Sequence, residues 1–152
     1  MPGETLSVIA AFLNEIGLPV EIGEIQGDTF LPGIHAASGI LRIDLARLRW
    51  PGDILHEAGH LALLTPEQRH DTQGDVGDDG GDEMGAIAWS YAAAIYLQLD
   101  PAVVFHAGGY QGGSEAILAN FAAGRYMGVP ILAWRGLCVT DSYPLMTRWL
   151  RV

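Results

Sequence analysis

The sequence predicts one α+β domain, a small mixed or antiparallel sheet packed on a motif-bearing helix and a second buried helix. Three observations carry this. The chain has 152 residues, 49% of them apolar, which suits one real core but not two comfortable ones. Three short strand-like stretches fall within residues 19–45, and helical spacing dominates from residue 51 onward. No internal repeat and no inter-domain linker interrupts the chain, so residues 1–152 are read as a single unit.

The elements follow in order. Residues 4–16 place Leu6, Ile9, Phe12, Leu13 and Ile16 at helical spacing, and Gly17 supplies a stop. In 19–25, Val20, Ile22 and Ile25 with acids between them predict an edge strand. Residues 29–36 and 39–45 predict two more strands around a turn at Ser38-Gly39. Pro51 can open a helix, because its missing N–H costs nothing in the first turn; that helix runs to Leu64 and ends at Thr65-Pro66. The Gly/Asp-rich stretch 66–82 reads as a long loop. From Asp82 to Leu99 nearly every position is apolar or small, the pattern of a helix buried all round. Residues 107–113 form a glycine-rich loop, Ser114 is placed to cap a helix over 115–126, and 129–152 shows no assignable period.

Charge excludes several functions. The formal net charge is −10, and the eight bases are scattered arginines, so a nucleic-acid binder and a polybasic membrane-surface protein are both disfavoured. Residues 65–84 hold seven acids against Arg69 alone, which is six of the ten net charges. Cys138 is the only cysteine, which leaves no disulfide and no cysteine zinc cage. The N-terminal residues lack a signal-peptide pattern, and the longest apolar run, Met84 to Leu99, is short for a membrane span. A cytoplasmic protein is expected.

The residues that carry chemistry are His56-Glu57-Ala58-Gly59-His60. Histidines four apart on a helix project from one face, so both rings can reach one metal ion, and imidazole suits Zn²⁺. Glu57 points beside the metal, where a carboxylate can take a proton from an activated water. Ile54, Leu55 and Leu61 to Leu64 surround the motif with apolar side chains, and buried histidines need partners. His106, just before the glycine-rich loop, and Tyr110, within it, are candidate donors to a developing oxyanion, a role for which His35, His70, Tyr91, Arg125 and Tyr143 are equally eligible by type. Trp89, Trp134 and Trp149 read as core, and Cys138 as a small buried hydrophobe. The run Asp75 to Gly80 resembles a calcium loop but has Gly77 and Ala86 where ligands are required, so it reads as a solvated acidic lip.

The five-residue motif resembles the active-site helix of the zincin metallopeptidases. In their gluzincin branch the third ligand is a glutamate on the next helix, and Glu83 stands 23 residues after His60. The segment from Glu83 through Ala86 to Trp89 is similar to the Glu-x-x-Ala-Asn-x-Phe segment of the ImmA/IrrE-like metallopeptidases, with Ile87 where that family has Asn. Leu63 and Pro66 exclude the metzincin extension. The resemblance implies a zincin-like fold, zinc held by His56, His60 and Glu83, Glu57 as general base, and hydrolysis of a peptide or protein substrate. Glu115, Asp79, Asp82 and His106 remain rivals for the third ligand, since zinc accepts N or O donors. A zinc-binding regulatory module without turnover is the alternative function.

Overall fold

The computed structural model describes residues 2–73 and 80–152. The run Asp75 to Asp79, with its acidic lip, calcium-loop reading and rival ligand Asp79, lies outside the described residues, as does the side chain of Asp82. Among the described residues the chain is a mixed α+β structure of six helices and one three-stranded sheet. Helix α1 spans Pro2–Ile16, followed by strands β1 (Val20–Ile22), β2 (Ile34–Ala37) and β3 (Ile40–Ile43). Helices α2 (Gly52–Leu63), α3 (Pro66–His70), α4 (Gly80–Tyr96), α5 (Ser114–Ala122) and α6 (Val129–Trp134) complete it, with short 3₁₀ turns at Pro101–Val103, Tyr110–Gly112 and Thr140–Ser142. None of these helices is long and apolar enough to cross a membrane.

The sheet order is β1-β3-β2, with β1 parallel and β2 antiparallel to β3. Ser38 and Gly39, at φ 53° and 75°, form the tight turn between β2 and β3, a geometry whose twist matches that of the paired strands. Leu41, Ile43, Ile34 and Ala36 turn inward from this hairpin onto the helices.

Several expected boundaries move, each for a local reason. The strand expected over 29–36 starts only at Ile34, because Gly33 sits at φ +78° and a Cβ there would lie 2.4 Å from the Leu48 nitrogen. Residues 29–32 therefore loop outward, and Phe30 is 77% exposed. The loop expected over 66–82 contains α3, whose start is fixed by a reciprocal pair: Gln68 N–H donates to Thr65 Oγ1, and Thr65 N–H donates to Gln68 Oε1. The helix expected over 82–99 runs from Gly80 to Tyr96 instead, and Gln98 at φ 58° breaks its line. Ser114 is the buried first residue of α5 and does not cap it with its side chain; that helix stops at Ala122 rather than residue 126. The unassigned tail holds α6, and Trp134 is 76% exposed rather than core, with the Arg135 guanidinium over its ring.

The core is built on α2 against α4. All twelve residues of α2 are buried, and α4 presents Ala86, Ala88, Trp89 and Ala92 to Ala94, each fully buried. Small residues let the two backbones approach: a Cβ on Gly59 would lie 2.9 Å from the Ala86 carbonyl oxygen. The open carbonyls at the end of α2, which every helix must satisfy, are covered by arginine. The Arg69 Nη1 donates to Leu64 O at 2.6 Å and to Leu61 O at 3.3 Å, and its Nη2 donates to Arg151 O at 2.8 Å. Arg151 donates its own backbone N–H to Ala62 O and its Nη1 to Leu63 O.

Candidate metal centre

The spacing of the motif does what helix geometry requires: His56 and His60 stand one turn apart on α2, both buried, with ring centroids 4.9 Å apart. Glu83, in the first turns of α4, meets them from the facing helix. Its Oε1 lies 3.1 Å from His56 Nε2 and its Oε2 lies 2.9 Å from His60 Nε2. One donor atom from each of the three residues falls within 4.8 Å of the others, so the group could hold a metal ion. Partial burial alone would raise the Glu83 carboxyl; the hydrogen bonds and charge of His56 and His60 outweigh it and hold the group well below the usual carboxylate range. Two buried ring nitrogens and one half-exposed carboxylate oxygen converge here, and nitrogen and oxygen donors of these kinds can ligate a metal ion. Of the rival ligands, Glu115 is exposed on α5, and neither it nor His106 belongs to this group.

Tyr110 approaches from the glycine-rich loop, at φ 57°, and places its hydroxyl 2.9 Å from His56 Nδ1. With Nε2 turned to Glu83, the hydroxyl addresses the ring's other nitrogen and fixes its rotation. Burial first, then the charges of Glu83 and Asp53, push the phenol above its ordinary range, so it stays protonated. The sequence suggested Tyr110 as an oxyanion donor; the structure sets its hydroxyl on a histidine instead.

His106 is also engaged elsewhere. The Gly108 backbone N–H donates to its Nδ1 at 3.1 Å, and its Nε2 lies 2.6 Å from Asp53 Oδ1. A backbone N–H can only donate, so Nδ1 is the acceptor and the ring proton on Nε2 goes to Asp53. Trp50 stacks on the ring at 4.2 Å and 11°. Glycine is needed at this contact, because a Cβ on Gly108 would lie 2.9 Å from Trp50 Cζ2. Both ring nitrogens of His106 are thus committed within the protein.

Two neighbouring cavities open beside the group. One, of about 550 Å³, is lined by His56, Glu83, Asp53 and Tyr110 together with apolar Phe30, Leu31, Ile87 and Ile117. The other, of about 390 Å³, is lined by Glu57 and by β2 at Ile34, His35 and Ala36, and it shares Phe30 and Leu31 with the first. Glu57 is therefore buried on the sheet side of the motif helix. His60 Nδ1 is buried with no hydrogen-bond partner among the described residues.

The remaining candidates lie away from the group. His70 and Arg125 are exposed, and Tyr91 belongs to the core. Tyr143 donates its hydroxyl to Ala88 O at 2.6 Å. Cys138 is buried, which pushes its thiol pKa up and away from reactivity. Sequence reasoning missed Asp53 and Trp50. Asp53 stands three residues before His56 and so shares its helical face, the one signal that marks it. No protein-family model, curated protein or solved structure matches the chain.

Proposed function

We propose that this chain is a zinc-dependent hydrolase of peptide or related amide bonds, with a zincin-like arrangement of its motif helix. The observation that carries the reading is the convergence of His56 Nε2 and His60 Nε2 on the Glu83 carboxylate, with Glu57 next in sequence to the first ligand. His56, His60 and Glu83 would hold the ion, and three protein ligands of this kind leave a position open for reaction. A bound Zn²⁺ supplies Lewis acidity, lowering the pKa of water and polarising a carbonyl.

The chain's own groups do the rest. Glu57 is a buried carboxylate beside a ligand, and it accepts the proton of the attacking water and returns it to the leaving nitrogen. Water adds to the carbonyl carbon, the C–N bond breaks, and a carboxylate and an amine are released. Tyr110 holds the His56 ring, and the burial of both histidines keeps bulk water from competing for their ring nitrogens.

Metal analysis of the purified chain with turnover of a peptide library tests this. Zinc near one equivalent is expected, lost in the double variant His56→Ala/His60→Ala. Glu57→Gln should keep zinc and lose hydrolysis. Hydrolysis surviving in that variant overturns the mechanism. Zinc without turnover in the unaltered chain overturns the enzyme reading and leaves a zinc-binding module.

A further inference from the structure

Asp53 has no part in the reaction above, yet it lines the same cavity as His56 and Glu83. It stands in the first turn of α2 and is 5% exposed. Its Oδ1 is held by His106 Nε2, while Oδ2 has no hydrogen-bond partner among the described residues. An ionised carboxylate has about four acceptor sites, and Oδ2 keeps some accessible surface where Asp53 lines the cavity, so it can accept from a ligand there. The His106 ring, stacked on Trp50 and pinned by the Gly108 N–H, fixes the carboxylate in place. Around it the cavity walls are apolar, at Phe30, Leu31, Ile87 and Ile117, and no arginine is among the lining residues. A rigid acidic floor under apolar walls selects a ligand with a cationic head and an apolar body.

Resting on the hydrolase reading, we propose that Asp53 Oδ2 binds the α-ammonium group of a peptide, so that the site removes N-terminal residues with apolar side chains. The interval supports this choice of cation. An α-nitrogen is two bonds from the carbonyl carbon of its own residue, and helix positions three apart have Cβ atoms about 5–6 Å apart. Asp53 can therefore hold the amine while the adjoining carbonyl is addressed one turn along, at His56. A lysine ε-ammonium is six bonds from the same carbon and overshoots that interval. The apolar walls then receive the side chain of the first residue.

The test is calorimetric titration of leucinamide, N-acetyl-leucinamide and N-acetyl-lysinamide into the full chain, metal-free and zinc-loaded. The unaltered chain should bind leucinamide about tenfold or more tightly than either acetylated ligand, as a charge-assisted hydrogen bond implies. Asp53→Asn keeps the shape and the oxygen that accepts from His106, so it should erase that preference with zinc content unchanged. Equal binding of leucinamide and its acetylated form, or a preference that survives Asp53→Asn, overturns the proposal. N-acetyl-lysinamide binding as tightly as leucinamide overturns the α-ammonium assignment. The metal-free arm separates the two readings: a leucinamide preference without zinc uptake sinks the hydrolase alone, and zinc-dependent hydrolysis without that preference sinks the ammonium site alone.

Discussion

Gly59 of the motif helix and Ala86 of the facing helix meet backbone to backbone, so closely that a Cβ on Gly59 would stand 2.9 Å from the Ala86 carbonyl oxygen and 3.1 Å from its Cα. This contact sets the separation of α2 from α4, and that separation lets Glu83 reach both histidines. In an open helix, alanine in place of glycine would gain about 1 kcal/mol. Here the clash is with backbone and cannot be relieved by a rotamer. Gly59→Ala should therefore lose about 1–3 kcal/mol of stability, the usual result of overpacking. It should also weaken metal binding. Denaturant unfolding and zinc titration measure the two effects, and a gain in stability would contradict the packing described.

Tyr110→Phe removes only the hydroxyl 2.9 Å from His56 Nδ1. Loss of a group that orients a ligand typically lowers metal affinity by about 10–100-fold. The expected outcome is that weakening with the fold retained, read by competition with a chromogenic chelator. Unchanged affinity would mean that the hydroxyl does not position His56.

Arg69 closes the end of α2 with two carbonyl contacts, at Leu61 and Leu64, and donates a third hydrogen bond to Arg151 O. Arg69→Met keeps much of the aliphatic stem and removes the donors. A cost of about 1 kcal/mol is expected for losing hydrogen bonds to these part-buried carbonyls, or roughly 2–4 °C in melting temperature per kcal/mol for a chain near this size. Thermal unfolding checks it, and an unchanged midpoint would show that water replaces the guanidinium.

Asp53→Asn should carry opposite signs for stability and recognition. Burial raises the Asp53 carboxyl above its ordinary value of 3.8, against the hydrogen bond and charge of His106 and the charge of His56. The folded state thus holds the proton more tightly than the unfolded one, so the contribution of Asp53 is most favourable below its unfolded pKa. That contribution is lost as pH rises through the folded pKa. Asparagine has no such titration. The variant should be more stable than the parent at neutral pH, with the difference shrinking as pH falls through the raised folded pKa and gone below the ordinary value of 3.8. Melting curves across that range measure it, and a pH-independent difference would show that the carboxyl is not shifted.

How much of this was legible in sequence depends on whether a residue's role is local. His56, Glu57 and His60 could be placed because helix periodicity alone puts the two rings on one face. The buried character of α2 and α4 was equally plain from their apolar runs. Glu83 came from resemblance, since 23 residues separate it from His60 and only the packing of α4 on α2, closest at Gly59 and Ala86, brings it back. Asp53 was passed over because an acid in a first helical turn is ordinary on electrostatic grounds. Its pairing with His106 spans 53 positions. The Thr65–Gln68 pair that starts α3 was readable as a capping pattern, and the Gly/Asp richness around it concealed it. Phe30 was expected in a strand because nothing local announces that Gly33 must pass so close to Leu48.

The ties made by the last described turn of chain have a bearing on the order of assembly. Tyr143 reaches α4 at Ala88, Trp149 accepts from Trp89 on the same helix, and Arg151 covers the final carbonyls of α2. The residues that would grip a metal all lie between positions 56 and 83, yet the helices carrying them are strapped together by residues 143–151. During synthesis the histidines emerge long before their strap. A nascent chain therefore carries the candidate metal-binding side chains on helices that are not yet tied together, and the cavity takes its final form only once residues 143–151 have arrived.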